Sequence, residues 1–238
     1  MQEVAAELTR QQNLAFKQQI NAACQAAVRG DLQKAEDDLN NALRDKSLER
    51  FNVKLRQLIS DVQAVRACLL KAESALMQKM KANTELTLHP SGMTITGRLT
   101  SQNAEGFSLE DKDGRIYDIL LTKLDPWDLV MLSSATNDTA ENRHAAGIYY
   151  FWQGKQAKAY EVLLRFKKEE SWEANRSAFY LGWVEEIVTD MMNQVRNIYH
   201  EVTNSKFELE KNKTLYIEAH AIMQRLKLEY TEAYRAVR

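Results

Sequence analysis

The sequence is poor in residues that interrupt helices. Proline occurs twice, at Pro90 and Pro126, and four of the eight glycines (Gly92, Gly97, Gly106 and Gly114) lie between them. Outside that island there is little punctuation, which excludes a loop-rich fold and leaves two helical arms. Cysteine is equally scarce. Cys24 and Cys68 both fall in helical patterns, and two thiols in a chain this large read as reduced and buried, not as a disulfide framework. No apolar run approaches the roughly 20 residues a membrane helix needs, and Met1-Gln2-Glu3-Val4 lacks the basic-then-apolar pattern of a secretory signal. We therefore expect a cytoplasmic protein, unless the chain is a piece of a longer exported or membrane-anchored one. An excess of charge is missing too: 32 Lys and Arg stand against 33 Asp and Glu. With no basic field to hold polyanions, we expect no nucleic-acid and no membrane partner.

The chemistry of known sites is also thin. His200-Glu201 opens like a zinc-protease motif, but Asn204 stands where the second histidine ligand belongs. Glu141 and His144 are three apart on one helix face, as in carboxylate-bridged di-iron bundles. Those need a second such pair, and His200 and His220 are preceded at that spacing by Asn197 and Ile217. There is no glycine-rich phosphate loop, and neither cysteine has a neighbouring histidine to mark it as a nucleophile. We expect no catalytic residue, no metal ligand and no cofactor.

What the sequence does have is length of helix. From Trp172 to Val237 it carries no proline and only one glycine, Gly182. Stepping by sevens from Leu181 gives Val188, Val195, Val202, Leu209, Tyr216, Met223 and Tyr230; the complementary position gives Val184, Met191, Ile198, Ser205, Asn212, Ala219 and Leu226. This is a heptad seam with a polar interruption. Two courses are open at Thr203-Asn204-Ser205. The chain could turn back with Asn204 in a left-handed conformation and Ser205 to Glu208 as a capping box, or run on as one helix, kinked at most. Because the heptad phase carries through Val202, Leu209 and Tyr216, we expect one continuous helix.

The preceding arm reads as three helices. The first runs from about Glu3 to Arg29 with Phe16, Ile20, Ala23 and Ala27 on one side and Gly30 as its stop. The second spans Asp31 to about Asp45, and the third, capped by Ser47, reaches about Ala82 along Leu55, Leu58, Val62 and Val65. Between about Thr84 and Leu124 the period changes to two. Met93-Thr94-Ile95-Thr96, Phe107-Ser108-Leu109-Glu110 and Ile116-Tyr117-Asp118-Ile119 alternate, and Asp113-Gly114 signals a hairpin, so three or four antiparallel strands are expected. Asp125 with Pro126 starts a short helix over Trp127 to Leu132. After it come a helix from about Asp138 to Gln153, Gly154 as its stop, a helix from Lys155 to about Lys168, and Ser171 as the cap of the long helix. Gly30 with Gly154, and Ser47 with Ser171, stand at the same offset, which suggests duplication of one plan.

Two stretches resemble the tetratricopeptide helical hairpin. One is Ala23, Gly30, Asp31, Ala35, Leu39, Ala42 and Leu43. The other is Gly147, Tyr150, Gly154, Ala159 and Leu163, with Phe166 where that pattern has Ala, and no proline follows either. The middle stretch is similar to small SH3-like modules of the endocytic-adaptor homology type. The likeness lies in Gly97-Arg98-Leu99, Phe107-Ser108-Leu109, Asp113-Gly114-Arg115, Lys123-Leu124-Asp125-Pro126 and Asp128-Leu129. It implies strands, a hairpin and a terminal helix over about residues 92–132, in a family that serves peptide or protein contact.

The fold expected is mainly α with a small inserted antiparallel β module: a helical arm (1–83), the β module (84–134) and a second arm (135–238) with a coiled-coil-like helix. The function expected is noncatalytic protein–protein interaction or scaffolding. The seam of Val184, Val188, Met191, Val195, Ile198, Val202, Leu209, Tyr216, Met223 and Leu226 would bind a second copy or another helical protein, so that Asp at Val195 and Val202 would dissociate the assembly. Ten aromatic residues crowd 149–183. They read first as core, with Tyr150, Trp152 and Trp183 as a candidate groove for a partner helix or peptide. Two other readings stay open: a regulatory segment of a larger protein whose β module binds a peptide, and a helical-bundle enzyme.

Overall fold

The computed structural model describes residues 2–103, 106–133, 140–168, 172–204 and 209–237. The chain is 78% helical with one four-stranded antiparallel sheet, the α+β class expected. Contacts group it into two compact units, Met1–Gly154 and Lys155–Arg238. This division differs from the three segments read from composition, because the β module packs as part of the first unit.

In the first unit α1 (Gln2–Val28) and α2 (Leu32–Arg44) form a hairpin. Gly30 turns the chain at a φ of +85°, a conformation that disfavours any residue with a Cβ. There Gly30 N–H donates to Ala27 and Asp31 N–H to Ala26, satisfying the last carbonyls of α1, while the Asp31 carboxylate caps α2 through Lys34 N–H at 2.9 Å. The expected cap of the third helix moves. Asp45, not Ser47, accepts the capping bond, from Ser47 N–H at 2.8 Å, and the chain makes a 3₁₀ segment (Lys46–Phe51) before α3 (Asn52–Lys81) begins. That bond caps the 3₁₀ segment, and α3 follows from Phe51 without a side-chain cap of its own. Phe51 ends that segment stacked on Phe16 of α1, ring centroids 4.1 Å apart. Ile20, Leu39, Leu48, Leu55, Leu58 and Val62 complete a buried core among the three helices.

α3 stops at Asn83, which takes the left-handed conformation (φ 50°) and closes the same pair of terminal bonds seen at Gly30. The sheet is a meander of β1 (Glu85–Leu88), β2 (Ile95–Gln102), β3 (Gly106–Asp111) and β4 (Ile116–Leu120) in that spatial order. Leu88, Ile95, Leu99, Phe107, Leu109 and Ile119 are its buried residues, and β2 packs against α3. The Asp113-Gly114 hairpin is as expected, organised by Asp111, whose Oδ1 accepts from Asp113 N–H and Arg115 N–H. Then α4 (Pro126–Ser133) and α5 (Ala140–Trp152) pack together and against α3. Gly154, at φ +75°, ends α5 as Gly30 ends α1.

The second unit contains α6 (Gln156–Leu163), a 3₁₀ turn (Leu164–Lys168), α7 (Trp172–Asn204), α8 (Leu209–Leu228) and α9 (Thr231–Val237). The expectation of one continuous helix is overturned. α8 packs along α7, and α9 packs on α6, α7 and α8, which a helix running straight from Trp172 to Val237 could not do. The proposed capping box at Ser205–Glu208, the expected helix start at Asp138 and the cap at Ser171 lie outside the described residues. The second tetratricopeptide-like stretch, 147–166, crosses the boundary between the units.

Candidate functional site

The fold uses up most of the seam. Val184, Val188, Met191, Ile198 and Val202 of α7 and Leu226 of α8 are buried within the chain, and Val195 is half-buried. The buried positions pack within their own chain, so their role as an external interface is corrected, with Val202 keeping only an edge on the groove described below. The Leu209 side chain lies outside the described residues. Tyr150 and Trp152 are also buried and serve as core; Tyr150 donates from its hydroxyl to Asp125, and Trp183 is half-buried, stacked at a tilt on Phe179 with centroids 5.9 Å apart. Burial, reinforced by Asp125, pushes the Tyr150 hydroxyl pKa upward. Tyr150 and Trp152 therefore offer no open groove.

Two seam residues remain available on α8: Tyr216, 57% exposed, and Met223, half-buried. The helix continues for twenty residues because nothing in Leu209–Leu228 breaks it. It is pinned at its end where Leu226 is buried and Arg225 lies over the Tyr230 ring, 5.7 Å from its centroid. Its inner side is thus consumed, while Ile217 stands 63% exposed beside Tyr216. Together with Ala219, Met223 and Val202 of α7 these residues line an open groove of about 1120 Å³. Its polar rim is Asn212, Lys213, His220 and Lys227. Among the described residues neither Lys213 nor Lys227 has a carboxylate partner. The seam read from the sequence contains Tyr216 and Met223 but not Ile217 or the lysines, which stand outside its two heptad positions.

The first unit holds a smaller cleft and a polar cluster. The cleft, about 470 Å³, is walled by Leu69, Leu70, Leu120 and Leu121, with Arg29, Glu73 and Lys123 at its edge. In the cluster, His89 Nδ1 is 2.9 Å from Asp128 Oδ1, the same carboxylate accepts His89 N–H, and Asp125 N–H donates to the His89 carbonyl. A histidine held by a buried carboxylate is the orienting half of a general base. Among the described residues, however, the imidazole bonds only to Asp128, and the backbone bonds make the pair a clasp between the end of β1 and the start of α4. His144 is buried, the Glu141 side chain lies outside the described residues, and no group of three or more His, Cys, Asp or Glu able to hold a metal occurs among the described residues. Cys24 and Cys68 are both free thiols. No described helix is long and apolar enough to cross a membrane.

Comparison with protein-family models, with curated proteins and with solved structures finds no match.

Proposed function

We propose that the chain is a noncatalytic interaction protein that engages a helical partner through the open face of the α7–α8 hairpin. The observation that carries this reading is the exposed Tyr216–Ile217 pair beside the half-buried Met223 in one groove. An aromatic ring, an aliphatic chain and a methionine, contiguous and rimmed by polar groups, are the composition of a contact patch and not of an ordinary solvated helix face. The groove runs along a straight helix of about 30 Å, the length a partner helix of similar size would cover. Burying such a stripe is worth about 25 cal/mol per Å² removed from water, before the cost of association.

The test is mass in the protein's own lysate. Wild-type chain should migrate in a complex larger than its own 27.4 kDa, and Tyr216→Asp combined with Ile217→Asp should return it to single-chain mass with unchanged thermal melting. A complex that survives the double substitution contradicts the reading.

A second reading rests on the sheet edge. Among the described residues β4 pairs only with β3, and Ile116 at its start is 66% exposed. An extended peptide could add to that edge, the contact role that the SH3-like resemblance implies. Loss of a bound peptide on Ile116→Lys would support it, and retention would count against it.

A further inference from the structure

We propose that the α8 face takes an acidic amphipathic helix of a different protein, and not a second copy of this chain. The inference rests on the reading of that face as an interaction surface and adds the chemistry of its occupant. Tyr216 and Met223 occupy one seam position of the heptad, and Asn212, Ala219 and Leu226 the other. The residues that directly follow the second position are Lys213, His220 and Lys227. They recur every seven residues, so all three lie along one edge of α8, and all three line the groove. Among the described residues no carboxylate lines it with them.

Charges that flank a helical seam select the partner by attraction and exclude others by repulsion. An antiparallel second copy would set this edge against itself, lysine facing lysine. Because Leu226 of the second seam position is buried within the chain, a parallel copy would also have to dock through the open face of Tyr216 and Met223, and it too would set lysine against lysine. A foreign helix with Glu or Asp at every seventh position meets the row without conflict. An anionic bilayer would attract the same lysine row, and vesicles are therefore the competing probe in the test.

The experiment titrates the full chain into a dye-labelled synthetic helix of three heptads, about 21 residues, with Ile and Leu at the seam and Glu at the flanking positions. A matched peptide carries Lys there, and phosphatidylglycerol vesicles are the third probe. The expected result is binding of the Glu peptide at least about tenfold tighter than the Lys peptide, with the preference shrinking as salt rises from about 0.05 to about 0.5 M. Lys213→Glu with Lys227→Glu, both on the surface, should invert the preference while circular dichroism and melting stay unchanged. Equal binding of both peptides, tighter binding of the Lys peptide, binding of vesicles alone, or no peptide binding up to about 1 mM overturns the proposal. Equal binding that is nevertheless abolished by Tyr216→Asp overturns the charge argument and leaves the surface in place. Peptide binding that survives Tyr216→Asp removes the surface itself.

Discussion

Glu185 of α7 accepts the hydroxyl hydrogen of Tyr160 at 2.8 Å and, through the same oxygen, holds the Lys167 ammonium at 3.0 Å. One carboxylate thus ties α6, the 3₁₀ turn after it and α7 together. Burial acts to raise the Glu185 pKa, but Lys167 and Tyr160 outweigh it and set the pKa below its ordinary value. A carboxylate whose folded pKa is depressed stabilises the fold above the unfolded glutamate range, and that contribution disappears as pH falls through the folded value. The second unit should therefore lose stability through the acidic carboxylate range, and Glu185→Gln should flatten that part of the profile in urea melts. Tyr160→Phe removes one hydrogen bond and should cost about 1 kcal/mol at neutral pH. A profile identical in wild type and Glu185→Gln would show that this tie contributes nothing.

Substitutions along the heptad seam should separate into two classes. Asp at Val188 or Val202 buries a charge in the interior of the second unit, where both valines are buried; each should unfold that unit, with losses of about 3 kcal/mol or more. Asp at Tyr216 meets water and should stay within about 0.5 kcal/mol of wild type. Thermal melts distinguish them. The expectation from sequence, that Asp at Val202 would only dissociate an assembly, is thereby replaced.

Gly97 of β2 has no room for a side chain. A Cβ there would lie 2.2 Å from the Glu110 carbonyl oxygen of β3, so the two strands must part to accept one. Gly97→Ala should destabilise the first unit by about 1–3 kcal/mol, read from the urea midpoint and from faster amide exchange in β2 and β3. Exchange rates equal to wild type in both strands would contradict the close approach.

Much of this fold was legible because its signals are local. Gly30 and Gly154 end helices by a backbone conformation, Asp113-Gly114 makes its hairpin within five residues, and Asp125-Pro126 starts α4 with a cap and a preset φ. Ser47 reads as a cap because nothing in the sequence marks the 3₁₀ segment Lys46–Phe51, capped by Asp45, that comes before α3. Asn83 was not noticed as a helix stop, although asparagine is the residue after glycine that most readily turns left-handed. The hairpin of α7 and α8 was hidden for a different reason. A heptad stripe looks the same whether its halves run on or fold back against one another, so the continuity of phase from Val202 to Tyr216 carried no information about direction. The same blindness concealed the site: Lys213, His220 and Lys227 acquire meaning only once folding leaves their edge of α8 uncovered.

The thiols report on packing independently of function. Burial pushes the Cys24 pKa up to about 12 and raises that of the half-buried Cys68, whose sulfur sits 3.2 Å from the Ser133 hydroxyl. Few thiolates exist near neutrality, so both should react slowly with an aromatic disulfide reagent, Cys68 the faster of the two, and both at full speed in urea. Rapid reaction of Cys24 in the native protein would contradict the core drawn between α1 and its neighbours.

The most direct measurement of the central claim is amide hydrogen exchange on the free chain and on the complex recovered from the protein's own source. Contact through the α8 face predicts slower exchange in the complex over residues 212–227 and at the end of α7, with the β module unchanged. Protection confined to β4, or no change along α8, would contradict it.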